Sequence, residues 1–247
     1  MSHWQTQAKH RQRGFSLVEL MVSILVLVIV VGAVFSQVNH IQRNTQRESM
    51  KLDLTQENRD FVDQFVRDLH MSGYPVASLY QYKPVSQLAT ESNVALGLVR
   101  VSPTDIRFEG DVYGDGNVYS VVYQYYQVDP NVPPDPNCPC LRRSAQLKQT
   151  GDSVTVKTPG GQLPPLFYTE VQNIIDPAGM QQGLFTFYDA NGNQIVIPAA
   201  GVDINTGAAI IQQIDAVKVN LNTRSKQYDA RGQQVVNSIA TIAELEN

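Results

Sequence analysis

Histidine and cysteine are scarce in this 247-residue sequence, and histidine is missing from most of it. The four histidines, His3, His10, His40 and His70, all lie in the first 70 residues, and there are two cysteines. The rest of the chain therefore has no Ser-His-Asp or Cys-His nucleophilic arrangement and no histidine-ligated zinc site. It also has neither a G-x-S-x-G turn nor a Gly-Lys-Ser/Thr phosphate loop. We therefore expect that the protein is not an enzyme and that it binds no cofactor.

An excess of positive charge is absent as well. The chain has 19 Lys and Arg against 23 Asp and Glu, a formal net charge of −4. This balance argues against a nucleic-acid-binding protein that works through a broad basic surface, although a local basic groove stays open. Two cysteines are too few for a disulfide-dense scaffold. The composition suits one globular domain or two small ones.

The sequence has no proline before Pro75, and its first part contains one long apolar run. Residues 15–35 read FSLVELMVSILVLVIVVGAVF, where Glu19 is the only charged residue. A helix of that length rises about 30 Å, the thickness of a bilayer's hydrocarbon core. A secretory signal has a shorter run and a small-residue cleavage site. The run is therefore read as a membrane segment rather than as a signal peptide or a buried core helix.

A short basic segment precedes the apolar run. It contains Lys9, Arg11 and Arg13 and no acidic residue. By the positive-inside rule, the N-terminus lies in the cytoplasm and the bulk of the chain is exported. A plain membrane anchor gives no reason for the carboxyl of Glu19. Because isolated acids are costly inside a membrane, Glu19 is a candidate functional residue that needs a partner.

The segment Arg13-Gly14-Phe15-Ser16-Leu17-Val18-Glu19-Leu20 resembles the processing motif of type IV prepilins. The resemblance implies that residues 1–14 are a leader, that a prepilin peptidase cleaves between Gly14 and Phe15, and that Phe15 is then N-methylated. It also implies that Glu19 neutralises the N-terminal amine of a neighbouring subunit in a filament. The implied partners are major and minor pilins, the peptidase and methyltransferase, and an inner-membrane assembly platform; nucleic acid is not expected.

The helix is expected to continue from about Phe15 to about His70. Beyond the membrane half, residues 15–36, an amphipathic half at 37–73 has apolar residues spaced by three and four: Leu54, Phe61, Phe65 and Leu69, with Val62 and Val66 beside them. This stripe is expected to pack on a globular head. Charged residues of both signs between Arg43 and Asp68 are expected to form a solvated surface. Family members often have a proline where Ser36 stands here.

Residues 74–247 are expected to form a β-rich, periplasmic head. Ile106 and Phe108 precede a Gly-, Asp- and Asn-rich turn, after which Tyr119 to Tyr125 alternate, which predicts a hairpin. A second hairpin is predicted from Leu184–Tyr188 through Asp189–Asn193 to Gln194–Ile197, and a half-exposed strand at Val217, Val219 and Leu221. The proline-rich segments 129–139 and 159–165 are expected to be exposed connections within one domain.

Further residues narrow the resemblance within the pilins. Residues 65–74, FVRDLHMSGY, resemble the end of the first helix in PilW-type minor pilins and in J-class pseudopilins of type II secretion, and Leu141-Arg142-Arg143 also fits the PilW pattern. The acidic C-terminal segment, residues 244–247, departs from the Arg-containing tail of many relatives. The implied fold class is α+β: a long N-terminal helix packed on a mainly antiparallel β-sheet head.

Three functions follow from these patterns. The first is a PilW-like minor pilin of a type IV pilus, acting in pilus assembly or initiation, with adhesion or twitching motility as the outcome. Such a protein would be located in the inner membrane before assembly and in the extracellular pilus afterwards. The second is a J-class pseudopilin of a type II secretion system, which shares the N-terminal chemistry. The third is a pilin whose head binds DNA or a surface ligand.

Two groups of head residues are candidate sites. Cys138-Pro139-Cys140 is read as a redox pair, half of a metal site, or a disulfide, either within the chain or to a partner. The intramolecular disulfide is favoured, because a redox motif normally has two intervening residues and further soft metal ligands are lacking. The oxygen-rich turns Asp189-Asn191-Asn193 and Asp111-Asp115-Asn117 partly match calcium loops. They are interpreted as hairpin turns, and no metal is assigned to them.

Overall fold

The structure is a computed structural model, and it describes residues 16–74, 91–127, 138–149, 166–175 and 183–245. The chain divides into two compact units, residues 1–47 and 48–247. Helix α1, Leu17–His70, contains 54 residues and is about 80 Å long. It runs unbroken through Gly32 and Ser36 and ends at the residue that the sequence predicts. The leader and the Gly14-Phe15 junction lie outside the described residues.

The rest of the described chain is mainly strand. The strands are β1 Gly97–Val101, β2 Asp105–Gly110, β3 Tyr119–Tyr126, β4 Cys140–Leu147, β5 Tyr168–Val171, β6 Phe185–Tyr188, β7 Gln194–Ile195, β8 Val202–Asp203, β9 Ala216–Tyr228 and β10 Gln234–Glu244. A short helix, α2, spans Ala208–Ile211. The long helix and the antiparallel strands confirm the α+β, pilin-like fold class.

The strands form two antiparallel sheets, a division that the sequence did not indicate. One has six strands in the order β5-β4-β3-β2-β1-β8, and the other has four in the order β10-β9-β6-β7. The segment after β5 leaves the first sheet and lies along the second: the amide of Ile175 donates to the carbonyl of Asn222 at 2.8 Å. Both predicted hairpins are present, as β2–β3 and β6–β7.

Within unit 48–247, one apolar core contains side chains of α1 and of both sheets. Phe65 is fully buried, and its ring centroid lies 5.2 Å from that of Tyr123 on β3 and 5.8 Å from that of Phe185 on β6. Phe61 and Leu69 are also buried, which confirms the predicted stripe. The half-exposed strand is confirmed as part of β9, where Val217, Val219 and Leu221 alternate with less buried residues.

The C-terminal end of α1 is fixed against strand β2. The amide of Gly73, whose φ of +83° stops the helix, donates to the carbonyl of Glu109 at 2.8 Å, and Ser72 forms a β-bridge with Gly110. Gly110 is required at this position, because a Cβ there would overlap the carbonyl of Met71. The head therefore holds the end of the helix through main-chain contacts as well as through the core.

Candidate functional site

The first half of α1 is an apolar helix that its own chain does not cover. Residues 16–49 are all exposed, including large side chains such as Leu27, at 60% of its area. The helix is long and apolar enough to cross a membrane, and its most apolar stretch of 18 residues contains no buried residue. Exposing this much apolar surface to water is unfavourable, so the helix requires lipid or the helices of other subunits around it.

Glu19 lies in the first turn of this helix, with its side chain exposed. Its main-chain carbonyl accepts a hydrogen bond from the hydroxyl of Ser23 at 2.8 Å. Among the ion pairs found in the described part of the chain, none involves Glu19. A carboxylate on an exposed apolar helix costs up to about 3 kcal/mol in the bilayer unless a cation pairs with it. The geometry thus leaves its carboxylate available to a group from another molecule.

The head contains a buried polar cluster that sequence reasoning missed. Asp68 of α1 lies 2.8 Å from Nη2 of Arg143 on β4, and Nε of Arg143 also donates to Asp68 at 2.8 Å. The hydroxyl of Tyr123 donates to the same carboxylate oxygen at 2.7 Å. Burial, and then the negative charge of Asp68, raises the pKa of Tyr123 well above its usual value. This cluster ties the helix to the six-stranded sheet.

The buried position of Asp68 corrects the expectation that charges between Arg43 and Asp68 are solvated. Only 2% of the area of Asp68 is exposed. The physical reason is its place on the helix: it lies three residues after Phe65 and therefore on the buried face. Asn58 is the second polar residue within the stripe, and its side-chain amide donates to the hydroxyl of Thr223 on β9 at 3.0 Å. Asn58 lies four residues after Leu54, so the helical spacing in the sequence could have placed it on the buried face.

A second buried ion pair lies in the six-stranded sheet and was also not predicted. Nζ of Lys148 lies 2.6 Å from Oε2 of Glu109, and both side chains are fully buried. The same ammonium donates to the carbonyl of Val94 at 2.8 Å. Burial raises the pKa of Glu109, and the positive charges of Lys148 and Arg107 oppose that rise. This pair joins the end of β4 to β2 and to the chain before β1.

The two cysteines are joined in the structure. Sγ of Cys138 and Sγ of Cys140 lie 2.03 Å apart, across Pro139. Cys140 begins β4 and is fully buried. The carbonyl of Pro139 accepts a hydrogen bond from the amide of Ile174 at 2.9 Å. The disulfide therefore lies where the chain enters the six-stranded sheet.

The two oxygen-rich turns use their carboxylates to hold the backbone. Oδ1 of Asp189 accepts hydrogen bonds from the amides of Asn191 at 2.9 Å and Asn193 at 2.8 Å. Oδ1 and Oδ2 of Asp111 accept from the amides of Asp115 and Gly116. In the described ranges, no group of three or more His, Cys, Asp or Glu side chains is placed to hold a metal ion. The hydrogen bonds that these carboxylate oxygens accept from backbone amides stabilise the two turns.

The hydroxyl of Tyr119 completes the turn before β3, donating to Oδ2 of Asp115 at 2.8 Å. This bond raises the pKa of Tyr119 to about 12. The pKa of Asp115 is lowered, chiefly by the amide of Asn117, which donates to its carboxylate, and then by Tyr119. The turn is thus held by charge-assisted hydrogen bonds on an exposed part of the head.

Comparison with known proteins identifies the N-terminal segment. Residues 9–35 match the family model described as the prokaryotic N-terminal methylation motif. No curated protein and no solved structure matches the chain. The matched range contains Gly14, Phe15 and Glu19 and most of the apolar half of α1. Together, the motif, the apolar helix that carries it and the α+β head support a membrane-anchored protein of the type IV pilin and pseudopilin class, processed by prepilin peptidase.

Proposed function

We propose that this protein is a PilW-like minor pilin that acts in the assembly or initiation of a type IV pilus. One observation carries the proposal: the methylation motif opens a single helix that is apolar and uncovered in its first half and is integrated into a folded head in its second. Such a chain joins other subunits through its helix and presents its head at the surface of the assembly.

The proposed role of Glu19 follows from charge in a medium of low dielectric constant. Cleavage after Gly14 would leave an ammonium on Phe15 at the start of an apolar helix. That ammonium and the carboxylate of Glu19 are each costly in lipid, and pairing between two subunits removes much of that cost. The pairing therefore favours assembly and fixes the axial register of one helix against the next. The protein acts as the substrate of processing enzymes and performs no catalysis itself.

The proposal places the head in the periplasm before assembly, because the basic leader keeps the N-terminus in the cytoplasm. The joined cysteines fit this oxidising compartment. PilW-like identity is supported by the resemblance of residues 65–74 and 141–143, which contain Asp68 and Arg143. They form the ion pair between α1 and β4.

Deleting the gene in the host and restoring variants of the full chain tests this function. We expect the deletion to reduce surface pili and twitching while leaving type II secretion intact, and the wild-type gene to restore both losses. Loss of secretion with normal pili would instead identify a J-class pseudopilin. Loss of neither would contradict the proposal.

Glu19→Ala tests the charge pairing within the same experiment. We expect its content in sheared filaments to fall about tenfold or more, because a tenfold loss corresponds to about 1.4 kcal/mol, less than the cost of an unpaired carboxylate in lipid. Ser23→Ala, one turn further along the same helix, is the control and should assemble normally. Normal incorporation of Glu19→Ala would contradict the pairing account.

A further inference from the structure

Strand β10 is an edge strand of the four-stranded sheet and is unusually long for an edge strand. It has 11 residues, Gln234–Glu244, and pairs only with β9 among the described strands. The other edge strands, β5, β7 and β8, have four, two and two residues. Edge strands are commonly short in proteins, because their unpaired amides and carbonyls can pair with strands of other chains. β10 lacks this protection.

The ladder geometry shows which main-chain groups of β10 point away from the sheet. The amide of Leu245 donates to the carbonyl of Asp215 at 2.8 Å, so odd-numbered residues of β10 direct their amides and carbonyls toward β9. Neighbouring residues of a strand point in opposite directions. The outward groups therefore belong to Val236, Ser238, Ala240 and Ile242. Their side chains are exposed, 56% of the area in the cases of Val236 and Ile242.

Most of β10 lacks the residues that usually block strand addition, and its one charged residue, Glu244, stands at its end. Gln234 to Ala243 contains no charged residue and no proline, and its one irregularity lies at its beginning, between Gln234 and Val236. Half of these ten residues are β-branched. An uncharged, β-branched, uncovered edge of this length would promote aggregation if it stayed open. This edge is therefore suited to be covered in the working assembly.

The side chains next to this edge indicate the charge of the strand that covers it. In the β9–β10 register, Lys218 lies beside Ile242 and Arg224 beside Val236. Among the ion pairs found in the described residues, neither cation takes part in one. A strand added to β10 would place every second side chain on this same face, about 10 Å across β10 from Lys218 and Arg224. The long side chains of these two cations extend over that face, where carboxylates would be favoured and lysines disfavoured.

We propose that β10 is a strand-addition site that pairs with an extended, acidic strand of a neighbouring pilin-type subunit. Main-chain hydrogen bonds to Val236, Ser238, Ala240 and Ile242 supply the attraction, and Lys218 and Arg224 select the charge of the partner. This inference rests on the proposed function, since it takes the partner from the same assembly. It adds a contact through the head to the contact through the N-terminal helix.

Two substitutions in the full-length chain block the edge without disturbing the core. Ala240→Pro removes an outward amide that the fold does not use, and Ser238→Glu adds a negative charge to the edge, which repels an acidic partner strand. The matched controls are Ala240→Ser at the same position and Asn205→Glu at an exposed site in the turn after β8. We expect both blocking variants to melt within about 2 °C of the wild type. We expect their content in filaments to fall about tenfold or more, a loss that needs only about 1.4 kcal/mol.

The controls should enter filaments normally. If wild type and controls assemble and both blocking variants do so equally well, strand addition is wrong while the proposed function stands. If neither wild type nor controls assemble, the proposed function itself fails. Should Ala240→Pro unfold the protein, Ser238→Glu alone decides between these results.

A photoreactive amino acid at Ser238 identifies the partner directly. We expect cross-linking in intact cells to give one main product, a pilin-type subunit modified within an extended segment that carries Asp or Glu. The same residue at Asn205 should not give that product. The absence of a Ser238 product, or a product modified within a helix or a basic segment, would overturn the proposal.

Discussion

The Asp68–Arg143 pair shows how a single residue decides the attachment of the helix. The side chains of Asp68 and Arg143 are 3% and 10% exposed, so the two charges compensate each other out of water. Removing one partner of such a pair leaves the other charge buried and uncompensated, which costs about 3–5 kcal/mol. The attachment therefore depends on two residues 75 positions apart in the sequence.

We predict that Asp68→Ala lowers the melting temperature of the protein by roughly 6–20 °C, the range that 3–5 kcal/mol gives for a domain of this size. Thermal unfolding followed by circular dichroism measures this shift. Asp63→Ala, an exposed acid on the same helix, is the control and should change stability by less than about 0.5 kcal/mol. Equal, small shifts for both variants would contradict the described role of the pair.

Glu57 makes the stability of the fold depend on pH: its contribution falls as the pH rises, whereas a carboxylate with a lowered pKa contributes more at higher pH. Burial raises its pKa above the ordinary value of 4.5, and the amide of Gln172, donating to Oε1 at 2.9 Å, opposes the rise. A carboxyl that ionises less readily in the folded state stabilises the fold while it is protonated. That contribution is complete below pH 4.5 and is lost as the pH rises through the raised, folded-state pKa.

We predict that Glu57→Gln, which keeps an acceptor for the amide of Gln172, melts at a higher temperature than the wild type at pH 7. The difference should be about 1–2 °C, because Glu57 is only half-buried and solvent screens it. It should shrink as the pH falls toward 4.5. Melting curves between pH 4 and 7 measure this, with the exposed Glu48→Gln as the control for loss of a helix charge. A difference that grows on acidification would contradict the assignment.

At the scale of elements, the docking of α1 on β2 depends on the close approach of two backbones. The carbonyl of Met71 occupies the space that a side chain at residue 110 would need. A larger residue there forces the two elements apart and weakens the bond from the amide of Gly73 to Glu109. Overpacking of this kind costs typically about 1–3 kcal/mol.

We predict that Gly110→Ala destabilises the protein by about 1–3 kcal/mol and speeds hydrogen exchange at the amide of Gly73. Hydrogen exchange resolved by residue measures the local effect. Gly232→Ala is the comparison: its φ of +71° makes alanine unfavourable, but a Cβ there meets open space, so exchange at Gly73 should be unchanged. Equal exchange at Gly73 in both variants would show that the contact does not hold the helix end.

The elements that the sequence predicts are those with local signals. Phe61, Phe65 and Leu69 repeat with the helical period, and Asp, Asn and Gly identify the turns of both hairpins. Asp68 escaped prediction because a charged residue is read as solvent-facing, and its partner Arg143 is distant in the sequence. The division into two sheets escaped it for the same reason: β9 joins β6 and β10 through long-range pairing that no local pattern specifies.

At the scale of the whole molecule, the two units have opposite relations to water. Unit 48–247 buries its own core, whereas residues 16–47 are exposed throughout and apolar over most of their first half. A protein built in this way needs lipid or other helices around residues 16–47. Gly14, Phe15 and Glu19 belong to a motif of neighbouring residues that needs no fold to be recognised, and the matched family model spans them.

The measurement that tests the account most directly is mass spectrometry of the N-terminus of the full-length protein purified from its host membrane. The account predicts that the mature chain begins at Phe15 with an N-methylated amine and lacks residues 1–14. A variant with Gly14→Lys, expressed in the same host, should retain the leader, because the bulky side chain prevents close approach of the backbone to the peptidase. A wild-type chain that keeps its leader, or begins at any residue other than Phe15, would contradict the account.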